Sequence, residues 1–176
     1  MENARVGQIM IPLGELPQIP YWFTLRQAMA EMDRTWMSHG QHQKYHPWLL
    51  LVFNAQNQLL GYVGHQEIMK GLKPALMSDQ SVHGEKNFSV KADPNLLKMS
   101  FNVDKAQVEL REQIERTVVE FMLPIDATVE FDDYVLQAVS FMIDKRMGVI
   151  PVVRDNIVVG VLFALDVLGE ITKAVI

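Results

Sequence analysis

Apolar positions recur at helical spacing in two stretches of the chain and form strand-like runs in two others, in the same order each time. In the first half, Leu25, Ala28, Met29 and Met32 stand at i, i+3, i+4 and i+7, one face of an amphipathic helix. Thr24, with Gln27 three residues on, has the pattern of a capping box. The run 49–53 reads as a buried strand, Asn54-Ala55-Gln56-Asn57 as a turn, and 58–63 as the returning hairpin strand. A short helix is expected over 66–70, stopped by Gly71 and Pro74.

The second half repeats the order. Asp132 or Asp133 is expected to cap a helix running to about Lys145, with Val135, Ala138, Val139 and Met142 inward. Then come a strand over 149–153, a turn at Arg154-Asp155-Asn156, a return strand over 157–162 and a helix from about Leu165. That helix is expected to bury Val167, Leu168, Ile171 and Val175. With short first strands near 16–19 and 128–130, each half reads β-α-β-β-α.

The halves also share letters. Val6-Gly7-Gln8-Ile9-Met10-Ile11-Pro12 is echoed by Val118-Val119-Glu120-Phe121-Met122-Leu123-Pro124, and Gly61-Tyr62-Val63 with Glu67 by Gly160-Val161-Leu162 with Asp166. Two packed copies of one supersecondary unit follow, an α+β fold with one unit over 1–73, a connector over 74–111 and the second unit over 112–176. Two segments break the symmetry: a polar insert at 34–47, and a connector at 74–104 rich in Ser, Asp, Asn, Lys and Gly. After the connector, a helix from Asp104 to Met122 is expected, striped by Leu110, Ile114, Val118 and Phe121. Arg111/Glu115 and Glu112/Arg116 are spaced to pair along it.

The chain has 176 residues, 49% hydrophobic and 21% charged, which suits one compact domain or two halves sharing a core. A net charge of −5 without a basic run argues against nucleic acid as a partner. With no cysteine there is neither a disulfide nor a thiolate metal site, as expected of a cytoplasmic protein. Glu2 and the lack of a basic stretch before an apolar run argue against a signal peptide. The apolar run 157–165 is far shorter than the roughly 20 residues a membrane span needs, so no membrane association is expected.

Gly148-Val149-Ile150-Pro151-Val152-Val153, followed by a turn, Val159-Gly160-Val161-Leu162 and Asp166, resembles the CBS domain. Phe121-Met122-Leu123-Pro124 ahead of it is also similar to that family. The first half follows the same outline through Ile9-Met10-Ile11-Pro12, Leu50-Leu51-Val52-Phe53, Leu60-Gly61-Tyr62-Val63 and Glu67. The resemblance covers 5–73 and 112–176. It implies two units packed about a pseudo-two-fold axis, usually homodimeric, binding an adenosine-containing ligand (AMP, ADP, ATP or S-adenosylmethionine) between them. Such modules are regulatory, not enzymes, and need no cofactor.

The family's site pattern is Gly, two apolar residues, Thr or Ser, two residues, then Asp. The carboxylate would accept from ribose hydroxyls and the hydroxyl would donate to phosphate, the charged bonds being the stronger. In the second unit the carboxylate is Asp166 and the hydroxyl position is Phe163; in the first they are Glu67 and Gly64. Both units therefore lack the phosphate donor. Gly64 leaves space and a backbone N–H, and Phe163 either stacks on a purine or fills the slot. The resemblance places the rest of the nucleotide site at Val149, Ile150, Pro151 and Thr128, with Lys145 and Arg146 as basic phosphate contacts. Leu51 replaces the family's proline in the first unit. Each residue also has a plain structural reading: Asp166 as a helix cap, Glu67 as an exposed first-turn acid, Lys145 and Arg146 as the favoured positive end of a helix.

His39, His42 and His46 lie in the insert, and the four-residue spacing of the last two is that of zinc ligands on a helix. No fourth ligand stands beside them, so a solvated loop is the plainer reading. No nucleophile elbow or phosphate loop is present. Asp132-Asp133 reads as a pair of caps. Two roles are compatible with this chain. One is a stand-alone sensor of an adenosine ligand that signals to a separate effector protein, since the chain ends at Ile176 without an effector domain. The other is an interaction or assembly module with degenerate clefts.

Overall fold

The computed structural model describes residues 4–39, 49–76 and 103–175. Two four-stranded mixed sheets form the frame. The first unit supplies β2 (Gln18–Pro20), α2 (Leu25–His39), β3 (Leu49–Phe53), β4 (Leu59–Gly64) and α3 (His65–Leu76). The second supplies β6 (Val129–Glu130), α5 (Val135–Lys145), β7 (Val149–Arg154), β8 (Ile157–Phe163) and α6 (Ala164–Val175). In each, a short first strand pairs parallel with the second, and the second forms an antiparallel hairpin with the third. Even the bulges correspond, at Val52/Phe53 and Val152/Val153. The second hairpin turns on Asp155 and Asn156, both at positive φ, as a two-residue turn between twisted strands requires.

The repeated lead-in segments cross over. The helix α1 (Val6–Ile9) and strand β1 (Ile11–Pro12) precede the first unit but join the sheet of the second, in the order β1-β8-β7-β6. Strand β5 (Leu123–Pro124) likewise precedes the second unit and closes the sheet of the first, in the order β2-β3-β4-β5. Val6 is buried in the second unit's core beside Ile150 and Leu162, and Val118 in the first unit's core beside Leu50 and Val63. Each crossing needs a glycine. A Cβ on Gly160 would lie 2.5 Å from the Ile11 carbonyl oxygen, and one on Gly61 would strike that of Leu123. A third cluster, with Ile11, Leu16, Leu49, Leu51, Val161 and Phe163, forms the seam between the two sheets.

Several expectations change. The single helix over 104–122 is broken. Helix α4 (Val103–Gln113) ends, a turn follows, and Val118–Glu120 is a 3-10 segment. The reason is the start of α2, whose free amides take carbonyls from this stretch. Leu25 N–H donates to Arg116 C=O and Arg26 N–H to Ile114 C=O, both at 2.9 Å. The expected i,i+4 pairs give way to Arg26 with Glu115 and Arg116 with Glu120. Helix α3 runs past Gly71 and Pro74 to Leu76. Gly71 is a contact glycine, since a Cβ there would lie 2.6 Å from Leu25 Cδ1.

Neither Asp132 nor Asp133 caps α5. Asp133 Oδ2 accepts from Glu130 N–H at 2.9 Å, while Val135 N–H donates to the lead-in carbonyl of Ala4 at 3.0 Å. Gln137 Oε1 accepts from Tyr134 N–H at 3.1 Å. By contrast Thr24 and Gln27 do form their reciprocal pair at the start of α2. Met29 and Leu168 are exposed, about one-quarter turn off the buried stripes of Leu25, Ala28 and Met32 and of Val167 and Ile171. Helix α2 takes in residues 34–39 of the expected insert, and His42 and His46 lie outside the described residues.

Candidate functional cleft

Where the seam between the units opens, it leaves a cavity of about 500 Å³, within the range of small-molecule sites. Both units build it from corresponding parts. Leu49 pairs with Gly64 across β3 and β4, and Val149 pairs with Phe163 across β7 and β8; all four line the cavity. At that paired position the two halves differ: Gly64 leaves room where Phe163, itself buried, provides a ring wall. Helix α3 begins directly after Gly64 and α6 directly after Phe163. Both amino ends therefore face the cavity through His65, Gln66, Ala164 and Leu165. The dipoles of these two helices favour negative charge there.

Glu67 is buried at 4% exposure and lines the cavity, so it is not an exposed first-turn acid. Its Oε2 accepts from Gly64 N–H at 3.1 Å and its Oε1 from the Lys70 ammonium at 3.2 Å. The Gly64 N–H is accordingly taken within the fold. Each carboxylate oxygen keeps a second acceptor position for a ligand hydroxyl. Beside it stands Tyr62, half-buried. Burial raises its phenol above the ordinary range, and the carboxylates of Glu67 and Asp126 add to the effect. It therefore stays a neutral donor at physiological pH.

Arg146 contributes from the opposite unit. It is the residue that ends α5 and adopts the left-handed conformation at φ 53° and ψ 40°. Its N–H closes the helix on the Ile143 carbonyl at 3.2 Å. Glycine is the usual residue in that place, and a side chain there costs about 1 kcal/mol. The cavity thus combines an apolar strand wall, the rings of Tyr62, Phe163 and His65, the buried carboxylate of Glu67 and, at its edge, the exposed Arg146.

Of the sequence-derived site residues, Gly64, Glu67, Arg146, Val149 and Phe163 meet at this cavity. The others stand elsewhere. Ile150 and Pro151 are buried within β7, Thr128 is exposed just before β6, and Lys145 is exposed at the last position of α5. Asp166 is half-buried in the first turn of α6, one residue beyond the lining Leu165. Tyr62, Leu49 and Leu123 line the cavity without having been singled out. Tyr62 carried a signal: it is the polar-tipped residue where the second unit has Val161. Among the described residues no group of three His, Asp or Glu could hold a metal, and no helix is long and apolar enough to cross a membrane.

Residues 118–173 match the CBS domain family. That match spans most of the second unit. The whole chain has the fold of a CBS pair, as solved structures show. A CBS domain-containing protein of unknown function from Bacillus anthracis superposes with a TM-score of 0.64 at 15% identity, covering 99% of this chain and 96% of that one. The CBS-pair protein CBSX2 of Arabidopsis thaliana superposes at 0.61 and 14% identity, covering 98% and 96%. A structure of CBSX2 in complex with AMP gives 0.59 at 14% identity, covering 97% of each chain. No curated protein matches the chain. The α+β expectation of two packed CBS units thus stands.

Proposed function

We propose that this CBS pair is a regulatory module that binds an adenosine-containing ligand in the cavity between its units and passes the signal to a separate effector protein. The observation that carries the reading is the convergence of both units on one cavity, with two helix amino ends and Arg146 on a wall of strand residues. A base fits against Phe163, Val149 and Leu49, ribose hydroxyls against Glu67 and Tyr62, and an anionic group against Arg146. The AMP complex of CBSX2 supports the same ligand class. A ligand held between the units would stabilise their mutual packing, and that is the energy available for signalling.

A thermal-shift panel of AMP, ADP, ATP, S-adenosylmethionine and NAD tests the reading. A ligand at 100 times its dissociation constant should add about 2.7 kcal/mol of stability, a shift of several degrees. Ala164→Phe, which narrows the cavity from the first turn of α6, should abolish the shift, with circular dichroism checking that the fold is kept because Ala164 also packs against the second unit's core. A flat response to all five ligands would remove the proposal.

The alternative role, an assembly module, is favoured by one feature. Leu136 and Ile143 on α5 and Leu165 and Leu168 on α6 are 45–70% exposed, an apolar face suited to homodimerisation. Light scattering at micromolar concentration should give twice the mass of the 20.1 kDa chain; a monomer would remove the dimer.

A further inference from the structure

We infer that two copies of this chain pair through the α5–α6 face of the second unit alone, with Gly169 at the closest approach and the first unit's helices left outside the contact. The inference rests on the assembly reading above and deepens it by assigning the surface that pairs.

Equivalent helix positions in the two units differ in kind. On α5 and α6, Leu136, Phe141, Ile143, Leu165 and Leu168 are 39–70% exposed. In the first unit those places hold Arg26, Glu31, Asp33, Gln66 and Met69. Three of these five are charged, and two of the three already have partners, Arg26 with Glu115 and Glu31 with Arg34. The buried stripes beneath correspond, Leu25, Ala28 and Met32 in one unit and Val135, Ala138 and Met142 in the other. The helices therefore sit alike on their sheets, and only the outer face has changed from solvated to apolar.

Helix α6 carries a second feature suited to a helix partner. Leu165, Leu168, Gly169 and Thr172 are all exposed and stand at i, i+3, i+4 and i+7, one stripe. A Cβ on Gly169 would meet nothing within 4 Å, whereas one on Gly71 in α3 would lie 2.6 Å from Leu25 Cδ1. Glycine inside a helix weakens it, and no contact within the chain calls for this one. The close approach of a second backbone does. Both helices also turn their hydroxyls back on themselves: Thr172 Oγ1 donates to Leu168 C=O at 2.9 Å and Ser140 Oγ to Leu136 C=O at 3.3 Å. Neither brings an unmet polar group into an apolar contact.

The occupant is a second copy because the face is complementary to itself. The stripes carry no charge, and their borders hold Asp144 and Lys145 on α5 and Glu170 and Lys173 on α6. With two acids and two bases, neither sign meets only its like across a two-fold axis. The five apolar side chains expose roughly 400 Å². An isologous contact doubles that to about 800 Å², and a polar rim brings the total toward the ~1,200 Å² of a small specific interface.

The test is a dilution series by sedimentation equilibrium on the full chain, with circular dichroism on every variant. Wild type should be a dimer of the 20.1 kDa chain at micromolar concentration. Leu168→Glu should weaken dimerisation at least about 100-fold by burying an unpaired charge, while Met69→Glu, its counterpart in the first unit, should leave it unchanged. Gly169→Gln should weaken it about tenfold by overpacking the contact and keep the helical signal, since its side chain meets open space within one chain. A dimer that Leu168→Glu or Gly169→Gln leaves intact, or that Met69→Glu weakens as much as Leu168→Glu does, would overturn the inference while leaving the chain a dimer. A wild-type monomer would remove the assembly reading and this inference together.

Discussion

Gly64 and Phe163 hold the same register in the two units, each the last residue of a third strand and each opposite the first residue of a second strand. One empties its side of the cleft and the other fills it. The repeated scaffold is therefore kept while the cleft is one-sided, with space and a buried carboxylate from the first unit and a ring and the exposed Arg146 from the second. The lead-in segments show the opposite behaviour. There the units remain alike, down to a paired proline and a glycine beneath it, because each lead-in completes the other unit's sheet.

That exchange should make the two units unfold as one cooperative body, and large cavities in either core are the strongest way to test it. Leu50 and Ile150 are both fully buried at corresponding places in the two sheets. Leu50→Ala and Ile150→Ala should each cost about 2–5 kcal/mol. All three tryptophans, Trp22, Trp36 and Trp48, fall in the first half of the sequence, so their fluorescence is a probe carried by that half. In Ile150→Ala, tryptophan fluorescence and circular dichroism should still follow one urea transition. A first unit that stays folded after the second has melted would show that the crossed lead-ins do not couple them.

The next effect is smaller and aimed at the crossing itself. Gly61→Ala and Gly160→Ala place a methyl group against the backbone of β5 and β1 respectively. Neither carbonyl is a flexible side-chain end, so the lead-in strand must move. Each substitution should lower stability by about 1–3 kcal/mol, by similar amounts in the two units. A cost at one glycine and none at the other would break the equivalence of the two crossings.

Most of the scaffold was legible because local signals and burial agree. The runs at 49–53 and 149–153 are strands, the Thr24–Gln27 pair caps its helix, and the repeat gives the order of elements. Misreadings arose where a distant segment decides. Ile114 and Arg116 leave the helical path because α2 needs their carbonyls, and Asp133 loses its capping role because Ala4 meets the first amide of α5. No periodicity encodes those contacts. For the cleft, Gly64, Glu67, Val149, Phe163 and Arg146 followed from the family pattern. Tyr62 did not, because its role depends on which sheet face meets the other unit.

The smallest effect separates the two lead-ins by charge. Each opens with a side chain that accepts from the backbone N–H three residues earlier: Gln8 from Arg5 at 3.0 Å, and Glu120 from Thr117 at 3.3 Å. Arg116 also donates to Glu120, through Nε at 3.0 Å and Nη2 at 2.5 Å. The Arg116 hydrogen bonds hold the Glu120 carboxyl below its ordinary value of 4.5, with the Arg116 charge and Thr117 adding to them and partial desolvation opposing. A carboxylate depressed in the folded state stabilises it above the unfolded pKa and loses that contribution as pH falls through the folded one. Glu120→Gln should therefore flatten the acid limb of the stability curve below about pH 4.5 and leave neutral stability nearly unchanged, the pair being solvent-exposed. Gln8→Glu should do the reverse, adding acid-side slope where the first lead-in has none, since a backbone donor favours the ionised form. Urea midpoints at pH 3, 4, 5 and 7 measure both. Parallel curves for Glu120→Gln and wild type would mean that the two lead-ins are equivalent in charge as well as in shape.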